Sequence, residues 1–195
     1  MNKLFLIAFA MILTFSYCDN DPVPTNYKVS NQVFYAKAIG CYDGDGPTIR
    51  VPLDTVLGTD TTYRLRLYAI DSPEHDHLYV TKKQPGSDIA ADSLRKFIKG
   101  KKVRVETYYV DDFNRQVARV FVNDTTDLSI WMLQKGYTWT RTEPGQPKQE
   151  RQYLADLQAT AKDAKLGFWA LPGRQLRPST WRSKYSVFRN VVNWY

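Results

Sequence analysis

Five short segments in which apolar and polar residues alternate constrain this chain more than any other feature. They run from Gln32 to Cys41, Thr48 to Leu53, Thr62 to Ile70, Lys102 to Val110 and Gln116 to Val122. A period of two places every second side chain on one face of a strand, so each segment is suited to a half-buried place in a sheet. Their enrichment in Val, Ile and Tyr agrees with that. Helical spacing breaks the series at Ala90, Ala91, Leu94, Phe97 and Ile98, led by Ser87-Asp88 as a capping pair and stopped by Gly100. Two more helices are expected. One runs from a Thr126-Asp127 start through Leu128, Trp131 and Leu133 to Gly136, the other from near Pro147 through Leu154, Leu157, Ala161 and Ala164 to Gly167. Strands interrupted and followed by helices make an α+β pattern, and five strands of this length predict a Greek-key β-barrel of the OB type with three α-helices.

A chain of 195 residues is enough for one such domain and too short for two of ordinary size. With 2 Cys and 2 His it has no disulfide framework, and too few ligands to spare for a structural zinc site. Lys3 precedes an unbroken apolar run from Leu4 to Phe15, a length that suits a signal peptide and falls short of a bilayer span. Export is therefore expected, with residues 1–18 as leader, 19–31 as a Pro-interrupted tether, 32–172 as the barrel domain and 173–195 as a basic extension. Cys18 stands where a bacterial lipoprotein is cut and acylated, which would tether the protein to a membrane of the cell envelope, periplasmic or surface. Ordinary cleavage nearby, giving a secreted protein, stays open because Tyr17 is bulky for a lipoprotein signal. Cys41, at the end of an alternating stretch, reads as a small buried hydrophobe.

Charge narrows the partners. The formal net charge is +7, and it is unevenly spread. Arg95, Lys96, Lys99, Lys101, Lys102 and Arg104 follow one another without an acid, and the stretch from Gly173 to Tyr195 is also basic and acid-free. Such surfaces attract polyanions, nucleic acid among them.

Three clusters carry the chemistry. Asp43-Gly44-Asp45 puts carboxylates on a tight turn after a strand, an arrangement suited to a hard cation such as calcium or magnesium. It is not an EF-hand loop, because Pro47 stands at the fifth position and Asp54 at the twelfth. The run Arg66-Leu67-Tyr68-Ala69-Ile70-Asp71-Ser72-Pro73-Glu74 ends a strand in a carboxylate, turns, and presents a second one. Asp71 can add to the metal site, while Glu74 points elsewhere and can take a proton from water. In Asp111-Asp112-Phe113-Asn114-Arg115, a hairpin turn opens the return strand with an arginine. Arg66 and Arg115 together would clamp one phosphate and stabilise the extra charge of a five-coordinate transition state. A fourth cluster, Gly167-Phe168-Trp169-Ala170 followed by Arg177-Pro178-Ser179-Thr180-Trp181-Arg182, holds aromatics that serve more often as core plugs than as base platforms.

In order and spacing, the Asp43, Arg66–Glu74, Asp111–Arg115 and Gly167–Ala170 clusters resemble the thermonuclease family typified by staphylococcal nuclease, over roughly Val33 to Arg182. The resemblance implies an OB barrel with three helices and a calcium-dependent hydrolase that cuts phosphodiester bonds of DNA and RNA. It implies Asp45, Asp71 and the Ser72 backbone carbonyl as Ca2+ ligands, Glu74 as the catalytic carboxylate, and Arg66 and Arg115 as phosphate-binding arginines. A monomer is expected. Three departures stand out. Gly46-Pro47 inserts two residues beside the metal turn, and the tyrosines that the type member stacks on its nucleotide are missing after Gly136, leaving Phe113 or Trp139 to substitute. His75-Asp76-His77 adds a polar loop after Glu74, too small for a complete metal site. The competing reading is a non-catalytic OB-fold module that binds nucleic acid or another polyanion at the cell envelope.

Overall fold

Residues 28–29, 31–51, 61–76 and 80–186 are described by a computed structural model. The alternating segments become strands: β1 (Val33–Cys41), β2 (Pro47–Val51), β3 (Thr61–Leu67), β4 (Lys102–Val110) and β5 (Gln116–Val122). In β4 every second residue from Val103 to Tyr109 is buried, the pattern of a strand with one face on a core. The strands close a barrel in the order β4-β1-β2-β3-β5, with β5 returning to β4. Every join in it is antiparallel except β3 with β5. That parallel join sets Arg66 opposite Val117 and Leu65 opposite Gln116, so the turn before β5 lies against the end of β3. The architecture is the five-stranded OB-type barrel that the alternation predicts.

Two strand ends differ from expectation. The far end of β2, expected to reach Leu53, lies outside the described residues. β3 stops at Leu67 because Tyr68 and Ala69 turn the chain, Ala69 with a φ of 62°. Ile70–Asp71 pairs instead with Trp139–Thr140, outside the barrel sheet.

The helices pack on the barrel and on one another, α1 (Ser87–Ile98) against β1, α2 (Leu128–Gln134) against β5 and α3 (Lys148–Asp163) against α2. α1 (Ser87–Ile98) buries Ala90, Ala91, Leu94 and Ile98, the apolar spacing read from the sequence. Its cap is Gly86, not the expected Ser87-Asp88 pair, which already lies within the first turn. Gly86 has a φ of 91°, and a Cβ there would sit 2.5 Å from that of Phe168, so both conformation and space require glycine. α2 (Leu128–Gln134) is capped as expected by Asp127, whose carboxylate accepts from the amides of Ser129 and Ile130. α3 (Lys148–Asp163) leads through a single 3-10 turn, Gly167–Ala170, which plants Phe168 in the interior. A fourth helix, α4 (Pro178–Tyr185), occupies the stretch expected only as a basic extension, with Pro178 at its first position.

Cys41 is half-buried, its thiol facing the Ala91 carbonyl at 3.2 Å, and burial pushes its pKa up to about 12. Such a thiol is a packing group. The leader, Cys18 and the expected tether as far as residue 27 lie outside the described residues, while Lys28–Val29, read from the sequence as tether, pairs antiparallel with β4, Lys28 opposite Val110 and Val29 opposite Tyr109. No helix among the described residues is long and apolar enough to cross a membrane.

Candidate active site

The chemistry collects where β3 ends. Ser72 donates from Oγ to Asp45 Oδ1 at 3.1 Å, and the Leu67 amide donates to the Asp45 carbonyl at 2.8 Å. These two bonds join the Asp43–Asp45 turn to the β3 exit. The turn fits tightly: a Cβ at Gly44 would lie 2.6 Å from that of Ala90 on α1 and 2.9 Å from that of Ser72. Asp45 is 7% exposed. Its burial, with the charges of Asp43 and Asp71 close by, holds its carboxyl well above the usual carboxylate range, and Arg115 opposes them.

Glu74 follows the turn made by Pro73. Its backbone is gripped by the buried Gln84, whose Oε1 accepts from the Glu74 amide at 3.1 Å and whose backbone N–H donates to the Glu74 carbonyl at 2.8 Å. Burial raises the Glu74 carboxyl, and Asp45 and Asp71 add to the rise against the lowering effect of Arg182. Arg182, from α4, donates from Nη1 and Nη2 to the two Asp71 oxygens at 3.1 and 3.0 Å, and from Nη1 to Glu74 as well.

Arg66 is 1% exposed, and both its terminal nitrogens are taken by one buried carboxylate. Nη1 and Nη2 donate to the oxygens of Glu143 at 2.7 and 2.8 Å, and Nη2 also to the Tyr109 hydroxyl at 2.8 Å. Tyr109 donates in turn to Glu143. Burial works against the charge on Arg66, but Glu143 outweighs it and the pKa lies above the ordinary arginine value. Asp111 stands between the two predicted phosphate arginines, with Oδ2 3.5 Å from Nε of Arg66 and 2.9 and 3.0 Å from Nη2 and Nε of Arg115. Arg115 remains partly exposed at the mouth of this arrangement.

Asp45, Asp71, Ser72, Glu74 and Arg115 therefore share one neighbourhood, with Arg66 beneath it. The two candidate stacking rings part company. Phe113 is 76% exposed at the hairpin tip, with the Arg115 guanidinium 5.7 Å from its ring centre. Trp139 is 3% exposed and lies flat on Phe168 at 4.2 Å with Trp169 at its edge, so it is a core plug with no free face for a base. His75 sits near Asp88 and Asp76 in a polar loop, while His77 lies outside the described residues.

The donor set suits a hard cation. Asp43 Oδ1 is buried without a hydrogen-bond donor among the described residues, and it stands beside the buried Asp45, whose carboxylate also repels that of Asp71. Clustered carboxylate oxygens, whose charge Arg115 and Arg182 only partly offset, are the kind of donor that calcium or magnesium takes. No three His, Cys, Asp or Glu side chains among the described residues group closely enough to hold a metal by themselves, so backbone oxygens and water would complete the shell.

Sequence reasoning missed Glu143, Tyr109, Gln84 and the role of Arg182. Glu143 carries no local motif. Arg182 had a faint signal, a charge next to an aromatic in the acid-free C-terminal stretch.

A five-stranded OB-type barrel carrying these helices defines a nuclease-like fold. Residues 64–171, more than half of the chain, match the family described as staphylococcal nuclease homologue, and the chain belongs to that family. Asp43–Asp45 and Arg182 lie on either side of the matched stretch. Among curated proteins the chain is similar to a "Probable endonuclease LCL3" of Komagataella phaffii, 35% identical over 130 residues covering 64% of this chain and 56% of that protein. It is also similar to a protein of the same name in Meyerozyma guilliermondii, at 28% identity over 78% of this chain and 68% of the other. A "Probable staphylococcal-like nuclease CAN3" of Oryza sativa subsp. japonica is 31% identical over 62% of this chain and 28% of its own length. The chain thus spans between about half and two thirds of the fungal relatives and a smaller part of the plant one.

Proposed function

We propose that the protein is an exported, calcium-dependent phosphodiesterase that cuts DNA or RNA. The observation that carries this reading is the shared neighbourhood of Asp45, Asp71 and Glu74 at the end of β3, with Arg115 beside them. Asp45 and Asp71, with the Ser72 carbonyl, are the groups that would hold Ca2+; the ion would supply Lewis-acid stabilisation of phosphoryl charge. Glu74, raised by burial, would accept a proton from the attacking water. Arg115 presents a guanidinium to a phosphate oxygen, and Arg66, locked on Glu143, supplies rigidity beneath it.

The substrate class is supported by a groove of about 560 Å³ beside the site, in which Lys162, Lys165, Arg174 and Arg177 take part and no acid does. Trp139 contributes to its wall and pairs with Asp71 through the backbone, so the groove adjoins the carboxylates. Phe113 offers an exposed ring for a base. Export rests on the apolar run Leu4 to Phe15, and calcium outside cells is abundant enough to fill a weak site. Lipid on Cys18 would appear in the intact mass of the protein made in its host.

One observation favours the alternative of a binding module: the terminal nitrogens of Arg66 are occupied by Glu143, which leaves Arg115 to meet a phosphate with fewer partners than two free arginines would give. Release of acid-soluble product from single-stranded DNA with calcium, with EGTA, and with a Glu74→Gln variant separates the two. Calcium-dependent cutting lost in the variant supports the enzyme. Salt-sensitive binding without cutting supports the module.

A further inference from the structure

The chain continues past the family-matched residues, turns back over the site, and ends its described course in α4. Two anchors hold that helix. Trp181, 7% exposed, donates from Nε1 to the Lys82 carbonyl at 2.6 Å, and the Thr81 amide donates to the Tyr185 carbonyl at 3.1 Å. Upstream, Gln84 donates from Nε2 to the Leu176 carbonyl at 2.7 Å, and Arg177 donates to the Thr140 carbonyl at 3.1 Å. Gln84 is the residue that grips Glu74, and Thr140 belongs to the strand paired with Ile70–Asp71. The C-terminal segment is thus fastened to both supports of the candidate carboxylates.

From this fixed helix the next residue, Arg182, spends its fork on the site. Both Asp71 oxygens receive a hydrogen bond, and Nη1 reaches Glu74. The side chains of Asp71 and Glu74 are each 13% exposed, so the pairing is only partly screened. A planar guanidinium across two carboxylates fixes their separation, and a cation that ligates Asp71 must take an oxygen already bonded to it.

We propose that Arg182 is a positioning residue of this site, contributed from outside the family-matched stretch, which holds Asp71 and Glu74 in register and competes with the divalent cation for Asp71. The proposal rests on reading Asp45 and Asp71 as cation ligands. Its consequence is a deliberate weakening of cation affinity: the guanidinium adds a positive charge beside the ion and occupies its ligand, in exchange for an ordered Glu74.

The test is calcium binding to the full chain by isothermal titration, with terbium luminescence as a second probe, in the wild type, Arg182→Ala, Arg182→Lys and Trp181→Ala. Arg182→Ala removes a side chain that is 36% exposed and leaves the Trp181 anchor, so the fold should persist. Its calcium affinity is expected to rise roughly tenfold, the scale of losing a charge-assisted contact. Arg182→Lys, which keeps the charge without the fork, should gain a few-fold, and Trp181→Ala, which loosens the helix, should shift in the same direction. At saturating calcium, kcat of Arg182→Ala should fall while the calcium concentration for half-maximal activity also falls. A purely structural arginine would not split the two that way. Unchanged or weaker calcium binding in Arg182→Ala, with normal binding in the wild type, overturns the role of Arg182 alone. No calcium binding in the wild type overturns the cation reading and this proposal together.

Discussion

Glu143 and Arg66 form a bidentate pair, each with a side chain 1% exposed, at 2.7 and 2.8 Å. Two other groups lean on the same carboxylate. The amide of Ala69, the residue in left-handed conformation after β3, donates to it at 3.1 Å, and Tyr109 donates from the facing strand. Glu143 is therefore what holds the end of β3 in the turn that aims Asp71 and Glu74. Removing one partner of a buried pair strands the other charge, which costs about 3–5 kcal/mol. Glu143→Ala should lower Tm by roughly 10 °C, since each kcal/mol shifts a domain of this size by about 2–4 °C. Tyr109→Phe, which removes a single hydroxyl, should cost only about 1 kcal/mol. Calorimetry on both variants checks this, and equal small effects would mean the pair contributes little.

Glu74→Gln keeps shape and hydrogen bonding while removing the group that accepts a proton. Turnover should drop by about two to four orders of magnitude. Affinity for a single-stranded oligonucleotide, measured by fluorescence anisotropy in calcium, should hold, because neither Arg115 nor Phe113 is touched. Near-wild-type turnover would take Glu74 out of the mechanism.

Asp45 makes the cation-free protein sensitive to pH. Burial and the neighbouring carboxylates raise its folded pKa above the ordinary 3.8, so the unfolded chain gives up this proton first as pH rises. Stability is therefore lost between pH 3.8 and the higher folded value, and the loss persists above it. Asp45→Asn removes the repulsion. In EDTA near neutral pH it should melt higher than the wild type, by roughly 2–4 °C for each kcal/mol relieved, and it should lose the stabilisation that calcium gives. Thermal melts in EDTA and in calcium, at acid and neutral pH, read both effects. A lower Tm for Asp45→Asn in EDTA would show that Asp45 is not strained by its neighbours.

Local chemistry was legible in this sequence and distant partnership was not. Asp45, Asp71, Glu74 and Arg115 each sit in a short motif whose turn residues and strand alternation mark a strand end, although Asp45 is buried there and Asp71 and Glu74 are only 13% exposed. The residues that lock them come from far along the chain. Glu143 lies 77 residues from Arg66, and Arg182 lies 111 from Asp71 and 108 from Glu74. No periodicity links such pairs, since they meet only after β3 has joined β5 and α4 has docked. Helix cores followed from spacing alone, as in Leu94 and Ile98, while the α1 cap did not. Gly86 took that position because Phe168 presses against it, a contact made across the fold.

Gly44 couples the Asp43–Asp45 turn to α1. A methyl group there would meet Ala90 and Ser72 well inside contact distance, and both are buried. Gly44→Ala should push the Asp43–Asp45 turn away from Ser72 and cost about 1–3 kcal/mol by overpacking. Calcium affinity should fall with it, as Asp45 moves relative to Asp71. Titration calorimetry beside a thermal melt is the check, and unchanged values in both would show that the turn yields freely.

Phe113 and Trp139 looked equivalent as aromatic residues near the site, and packing separates them. The ring of Phe113 is exposed beside Arg115, so it can stack on a base that arrives with its phosphate on the guanidinium. Trp139 has one face on Phe168 and its edge region against Trp169, within the cluster that fixes the 3-10 turn. Phe113→Ala should weaken oligonucleotide binding by about 1–3 kcal/mol and leave Tm unchanged, because an exposed side chain contributes little to folding. Trp139→Ala should do the reverse, destabilising by about 3–5 kcal/mol through the cavity it leaves. Anisotropy and calorimetry on the two variants give opposite signatures. A Phe113→Ala variant that binds normally would place the base elsewhere, with the basic groove beside Trp169 as the next surface to probe.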